Sequence, residues 1–322
     1  MYTRLICVTS ALAVLAAAAF ATPPTFEYAG QWGEEGSRDG EFQLPTAAAL
    51  SSGGLVYVVD NGNSRVQYFT GTGNFCGKWG SAGSGEGEFA NPVGIAINSE
   101  GTVYVVDSYN NRIQYFTSSG SFVGEWGTAG SGDGEFNYPE GIAVASTGNV
   151  YVVDSGNNRV QYFDATGSFL GKWGSAGTAN GEFSYPRGVG IASGGRVFVT
   201  DSSNRRVQYF TAAGVYRGQW GVYGSGQGEF TLPIGVAVAP NRNVFVTDRH
   251  RIQVFDTNGG FITEWGSRGS GNGQFVDPED IAMNSNSRVY VVDRRNSRMQ
   301  YFDYVNPAVE PTSFGKVRAL FR

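Results

Sequence analysis

Histidine and cysteine are almost missing from this chain. It has 322 residues, of which one is His and two are Cys. A three-His metal site cannot be built within one such chain, and no Cys/His zinc module or Cys–His nucleophile pair can be drawn from the set. Cys7 lies in the N-terminal segment, so beyond it Cys76 stands alone and no intramolecular disulfide is possible. Cys76 sits on an apolar strand pattern and is expected to be a buried free thiol. Positive charge is also short, with 23 Lys+Arg against 28 Asp+Glu. A nucleic-acid binder normally carries a net basic footprint, so that class of partner is not expected. Long helical patterns are absent. No Asn-x-Ser/Thr acceptor occurs, which fits a bacterial better than a eukaryotic secretory origin.

Glycine is abundant, at 48 residues, and β-branched and aromatic residues accompany it. That composition suits an all-β repeat domain. Residues 1–21 stand apart. Arg4 precedes a mostly apolar run from Leu5 to Phe20, and Ala19-Phe20-Ala21 is a small-x-small cleavage site. This reads as a secretory signal peptide cut after Ala21, with an uncleaved membrane anchor as the rival. Cleavage is expected to leave a secreted, periplasmic or cell-surface protein. A membrane partner is expected only if the segment stays.

The rest is one unit repeated. It can be read at Pro92-Val93-Gly94-Ile95-Ala96-Ile97, Val103-Tyr104-Val105-Val106-Asp107, Asn111-Arg112-Ile113-Gln114-Tyr115-Phe116 and Phe122-Val123-Gly124-Glu125-Trp126-Gly127. Asp60, Asp107, Asp154, Asp201, Asp248 and Asp293 mark the six copies, at steps of 47, 47, 47, 47 and 45 residues. Short apolar runs at a fixed period, split by Gly-rich turns, signal an array in which no unit buries its core alone. Each unit predicts four antiparallel strands, and six such units predict a six-bladed β-propeller. The first Trp strand, residues 26–33, precedes every other strand, and the last unit has no Trp strand of its own. The N-terminal strand is therefore predicted to complete the last blade and close the ring, which removes the free sheet edge. The predicted propeller spans 26–303, with a tail at 304–322 whose end is apolar and basic.

The runs Pro-x-Gly-Ile-Ala, Val-Tyr-Val-Val-Asp-Ser and Asn-x-Arg-Val-Gln-Tyr-Phe closely resemble the NHL-repeat family of six-bladed β-propellers. Blade one departs at Pro45-Thr46-Ala47-Ala48, and the turn Asp248-Arg249-His250-Arg251 is two residues short. The resemblance implies a ligand face formed by the second-to-third-strand turns and the inter-blade linkers. It extends to propellers that act as amidating lyases or lactonases, and to propellers behind RING domains. The missing His and Cys separate this chain from three-His and RING chemistry.

Residues present in every copy are read as structural. They are the six Asp and Arg65, Arg112, Arg159, Arg206, Arg251 and Arg298. Each Asp is expected to cap its tight turn and pair with the Arg across it. The Phe of each Gly-rich linker is expected to plug between blades. Function is sought where the copies differ. The inner-strand entrances offer Glu140, Arg187, Glu279, Asp280, Tyr138 and Tyr185 as a channel-mouth pocket. The varied turns offer Arg205, Arg249, His250, Arg294 and Arg295 as a partner surface, facing acidic linkers at Glu34, Glu35, Asp39, Glu86 and Asp133. No cofactor is expected. A channel calcium on oxygen ligands is the one metal option. The expected function is an exported, non-catalytic, monomeric scaffold for a protein or cell-surface glycan. The alternatives are a cation-dependent small-molecule hydrolase or lyase at the channel, and a structural envelope or matrix component.

Overall fold

The computed structural model describes residues 24–284 and 288–305. The expected signal segment and the tail beyond Val305 lie outside the described residues.

Six four-stranded antiparallel sheets form the ring. In blade two the strands are Pro92–Ile97, Val103–Asp107, Arg112–Phe116 and Phe122–Trp126, from the inside outward. The second strand of each blade is Val-Tyr-Val-Val-Asp or a close variant, and it is buried along its whole length. Such a strand is covered on both faces by the neighbouring blades, which explains why β-branched residues fill both of its sides. Inner strands pack each against the next, from Pro45–Leu50 round to Pro278–Met283 and back. Phe42, Phe89, Phe136, Phe183, Phe230 and Phe275 are fully buried between blades.

Closest approach of the inner strands explains Pro-x-Gly. A Cβ on Gly94 would stand 2.4 Å from the Glu140 carbonyl oxygen, and one on Gly141 would stand 2.3 Å from that of Arg187. Only glycine fits that spacing. The rule lapses twice, in blade six, where Asp280 holds the glycine position and faces blade one across the closing seam, and in blade one, where Ala47 holds it and packs on blade two. The Asp280 carboxylate fills the seam and accepts the Ala48 amide at 3.1 Å.

Closure uses the N-terminal strand. Thr25–Trp32 pairs antiparallel with Arg298–Val305, from Thr25 opposite Val305 to Trp32 opposite Met299, across one bulge. Elsewhere each outer Trp lies on a hairpin glycine of the next blade. A Cβ on Gly120, at φ +89°, would come within 2.6 Å of Trp79. Blade six has no such hairpin, since its third and outer strands come from opposite ends of the chain. Phe26 takes the place and stacks on Trp265 at 4.1 Å and 19°.

A clamp repeats at each linker. Asp107 Oδ2 accepts Arg112 Nε at 2.8 Å, Asn110 Nδ2 at 2.8 Å and Gln114 Nε2 at 3.3 Å, while Oδ1 accepts the Ala90 amide at 2.7 Å. The Arg112 guanidinium then holds the Gly85 and Glu88 carbonyls. Two expectations need correction. The Asp does not cap its own turn through backbone amides; Oδ1 reaches back 17 residues to the linker. In blades one, two, three and six the turn is a short 3₁₀ segment closed by a left-handed residue such as Asn111, at φ 52°, with no side-chain cap. Cys76 is exposed, not buried, because outer strands turn alternate side chains to solvent, as Val123 and Leu170 do.

Candidate functional site

The central channel opens as a funnel of about 470 Å³ on the face carrying the second-to-third-strand turns. Glu140, Arg187, Glu279, Asp280, Tyr138 and Tyr185, picked out from the repeat register, all line it. Each entrance residue follows the proline that opens an inner strand, so six inner strands deliver their second residues to one rim. The repeat supplies the position, and the residue type varies freely.

The charged groups form a ladder across the opening. Arg187 Nε stands 3.1 Å from Glu140 Oε2, and Arg187 Nη1 stands 3.5 Å from Glu279 Oε1. Arg294 Nη1 continues it at 3.7 Å from Glu279 Oε2. Blades three, four and six thus meet through side chains. Burial raises Glu140 to about 7, with Glu279 adding to the rise and Arg187 opposing it. Burial also raises Asp280 to about 7 against the opposing amides of Ala48 and Ile281. Glu279 is raised by burial too, against Arg294 and Arg187. Carboxyls in this state can hold or release a proton near neutral pH.

Tyrosines crown one side. Tyr109, Tyr138 and Tyr185 are 62%, 52% and 57% exposed, which leaves their ring faces available. Tyr109 and Tyr138 meet edge to face at 5.7 Å. Tyr138 and Tyr185 have φ of 49° and 50°, and their amides are held by Asn111 and Asn158 at 2.9 Å. Leu44, Asn91 and Asp277 share that left-handed position, so the backbone strain belongs to the repeat and only the aromatic identity is special.

The varied-turn residues separate. Arg294 joins the funnel wall instead of the outer surface. Arg205 donates back to the Ser202 carbonyl and so braces its own turn. Arg295 pairs with Asp277, whose amide lies 3.4 Å from His250 Nδ1. Burial lowers the His250 pKa, with Asp277 opposing. Arg249 is exposed at φ 55° in the shortened turn. The expected acidic flank is partly self-neutralised, since Asp39 and Asp133 pair with Lys78 and Lys172, each at 2.6 Å.

Sequence reasoning missed Tyr109 and the inward role of Arg294, and did not single out Asn61, Asn91 or Ser108, which also line the funnel. The signal for Tyr109 was present: the corresponding turn position holds Gly62, Gly156 and Ser203 in blades one, three and four. Among the described residues, no group of three or more His, Cys, Asp or Glu is arranged to hold a metal ion.

Comparison with known proteins follows the geometry. A family model of the NHL repeat matches residues 42–69, 89–116, 136–163 and 183–210. A model described as a 6-bladed beta-propeller matches 234–309. Among curated proteins none matches. Solved structures share the fold at low identity. A catalytically inactive virginiamycin B lyase from Staphylococcus aureus with quinupristin is 16% identical over 89% of this chain and 90% of that one, with TM-score 0.60. A gluconolactonase from Xanthomonas campestris is 14% identical over 88% and 98%, with TM-score 0.63. A chain of the nidogen/laminin complex is 16% identical over 71% and 82%, with TM-score 0.54.

Proposed function

The chain is an NHL-repeat six-bladed β-propeller, and from that premise we propose that it is an exported, non-catalytic binding scaffold that takes the end of a cell-surface glycan in its funnel. One observation carries the reading. Exposed tyrosine rings stand beside a ladder of carboxylates and guanidiniums whose hydrogen-bonding capacity is only partly used. Aromatic faces that stack on sugar rings, beside polar groups that fix hydroxyls, are what a polyhydroxylated ligand needs. A rigid ring makes such a site largely pre-formed, so little ordering cost is added on binding. The signal-like segment at residues 1–21 supports export. The test is calorimetric titration of the mature protein with a panel of oligosaccharides. Tyr138→Ala is expected to weaken binding roughly tenfold while the melt stays unchanged. An unaltered affinity, or no glycan bound at all, would remove the funnel from this role.

A second reading has its own observation. Glu140 and Asp280 are held at about 7, the range in which a carboxyl serves as general acid or base. Lyase and lactonase activities belong to two of the fold neighbours. In this reading the protein is a cation-dependent hydrolase or lyase of a small molecule. Turnover of a lactone or ester panel that Glu140→Gln abolishes would establish it over the scaffold.

A further inference from the structure

We propose that the funnel selects acidic saccharides, with a sugar carboxylate seated between Arg187 and Arg294. The inference rests on the glycan reading above and adds the charge of the ligand.

The first observation is a break in the repeat. At the start of the second-to-third-strand turn, Asn61 donates to the Pro92 carbonyl at 2.8 Å, Ser155 to that of Pro186 at 2.5 Å and Ser202 to that of Pro233 at 2.6 Å. Each ties its turn to the next blade. Blade six places Arg294 there, and Arg294 instead lines the funnel. A long guanidinium is not needed for a job that a Ser hydroxyl does.

The second observation is how little of that guanidinium is engaged. A guanidinium has five N–H donors. Arg294 Nε is buried with no hydrogen-bond partner among the described residues. Its ion pair with Glu279 is long, at 3.7 Å. Arg187 is held at 3.1 and 3.5 Å. The clamp arginines are different: Arg159 makes four contacts between 2.7 and 2.8 Å. Among the described residues, two arginines held only by contacts of 3.1 to 3.7 Å therefore flank one carboxylate, Glu279. That carboxylate occupies the place of a ligand anion and serves as an internal counter-ion. Arginine pairs recognise planar carboxylates by parallel N–H contacts. When a sugar carboxylate arrives, Glu279 must turn aside or take up a proton. Its raised pKa makes the proton the easy route. Glu140, Asp280, Asp277 and Arg295 are the other charged groups close enough to influence that step.

The probe is a galacturonic acid trisaccharide, set against its neutral counterpart in which each carboxyl is reduced to a hydroxymethyl group. Both are titrated into the mature full chain by calorimetry. The acid form is expected to bind at least about tenfold tighter than the neutral form. Arg294→Ser, which restores the repeat's own residue, is expected to erase that preference without altering the melt. Glu279→Gln removes the internal counter-ion and is expected to tighten acid-form binding. Equal affinity for the two forms, or a preference that survives Arg294→Ser, overturns the charge assignment and leaves the glycan reading standing. Absence of binding by both forms overturns the two together.

Discussion

The clamps and the funnel are built from the same residue types and put them to opposite uses. In a clamp, one Asp and one Arg are buried together, and each oxygen and most N–H groups meet a partner at hydrogen-bond distance. In the funnel the pairs stand 3.1 to 3.7 Å apart, carboxyls are pushed towards neutrality, and an arginine nitrogen is buried without a partner among the described residues. Saturated charge is architecture, because nothing remains to offer a ligand. Unsaturated charge at a pre-formed opening is what a ligand could use. A buried ion pair is worth keeping when nearly all its hydrogen bonds are met, and five of the clamps are buried in that way, while in blade five Arg251 is 16% exposed.

Distance along the chain separates them too. The Asp–Arg–linker contacts of a clamp span at most 28 residues, whereas Arg187 and Glu279 are 92 apart and come from blades four and six. Removing Thr25–Trp32 should therefore have the largest effect. It takes the outer strand from blade six and the Phe26 stack from Trp265. The expected outcome is loss of one cooperative thermal transition and of all funnel binding, read by calorimetry. Survival of both would mean that closure is not what assembles the site.

A matched truncation comes next. Asp107→Ala should destabilise by about 3–5 kcal/mol, because Arg112 would be left buried and unpaired. Glu279→Ala should change stability by less than about 1 kcal/mol, since its partners reach water. Urea denaturation of both variants checks the contrast, and equal costs would break it.

The pH response tests the funnel carboxyls alone. Asp280 and Glu140 hold their protons to about 7 in the folded chain, against ordinary values of 3.8 and 4.5. Between these limits the folded state binds more protons than the unfolded one. The stability they contribute is thus complete below about pH 4, falls as pH rises to about 7 and is flat above that. Asp280→Asn keeps an acceptor for the Ala48 amide and should flatten much of that fall, seen in melts at pH 5 and pH 8. A wild-type melt that does not fall between those two values would contradict the burial of these carboxyls.

How much was legible beforehand depends on what repeats. The strands, the turn positions, the Trp and Phe of each blade and the closing strand were all visible, because six copies average out local noise and a fixed period leaves one architecture. The six entrance residues were legible for the same reason, since repeat register carries Glu140 and Glu279 to one rim. Arg294 was misplaced because register says where a turn is and not which way a long side chain leaves it. Cys76 was misjudged because an outer strand with apolar residues looks like a core strand until its free side is seen.

The sequence by itself determined the ring, since each copy repeats the same alternation and each linker the same glycines, and such a pattern can bury its apolar faces only against further copies. Tertiary structure alone decided the ladder from Glu140 through Arg187 and Glu279 to Arg294. Glu140, Arg187 and Glu279 share the position after the strand-opening proline and Arg294 opens a turn, so register brings them to one rim without saying which side chains pair there. They meet because the ring closes, and their partial neutralisation follows from where the channel wall buries them.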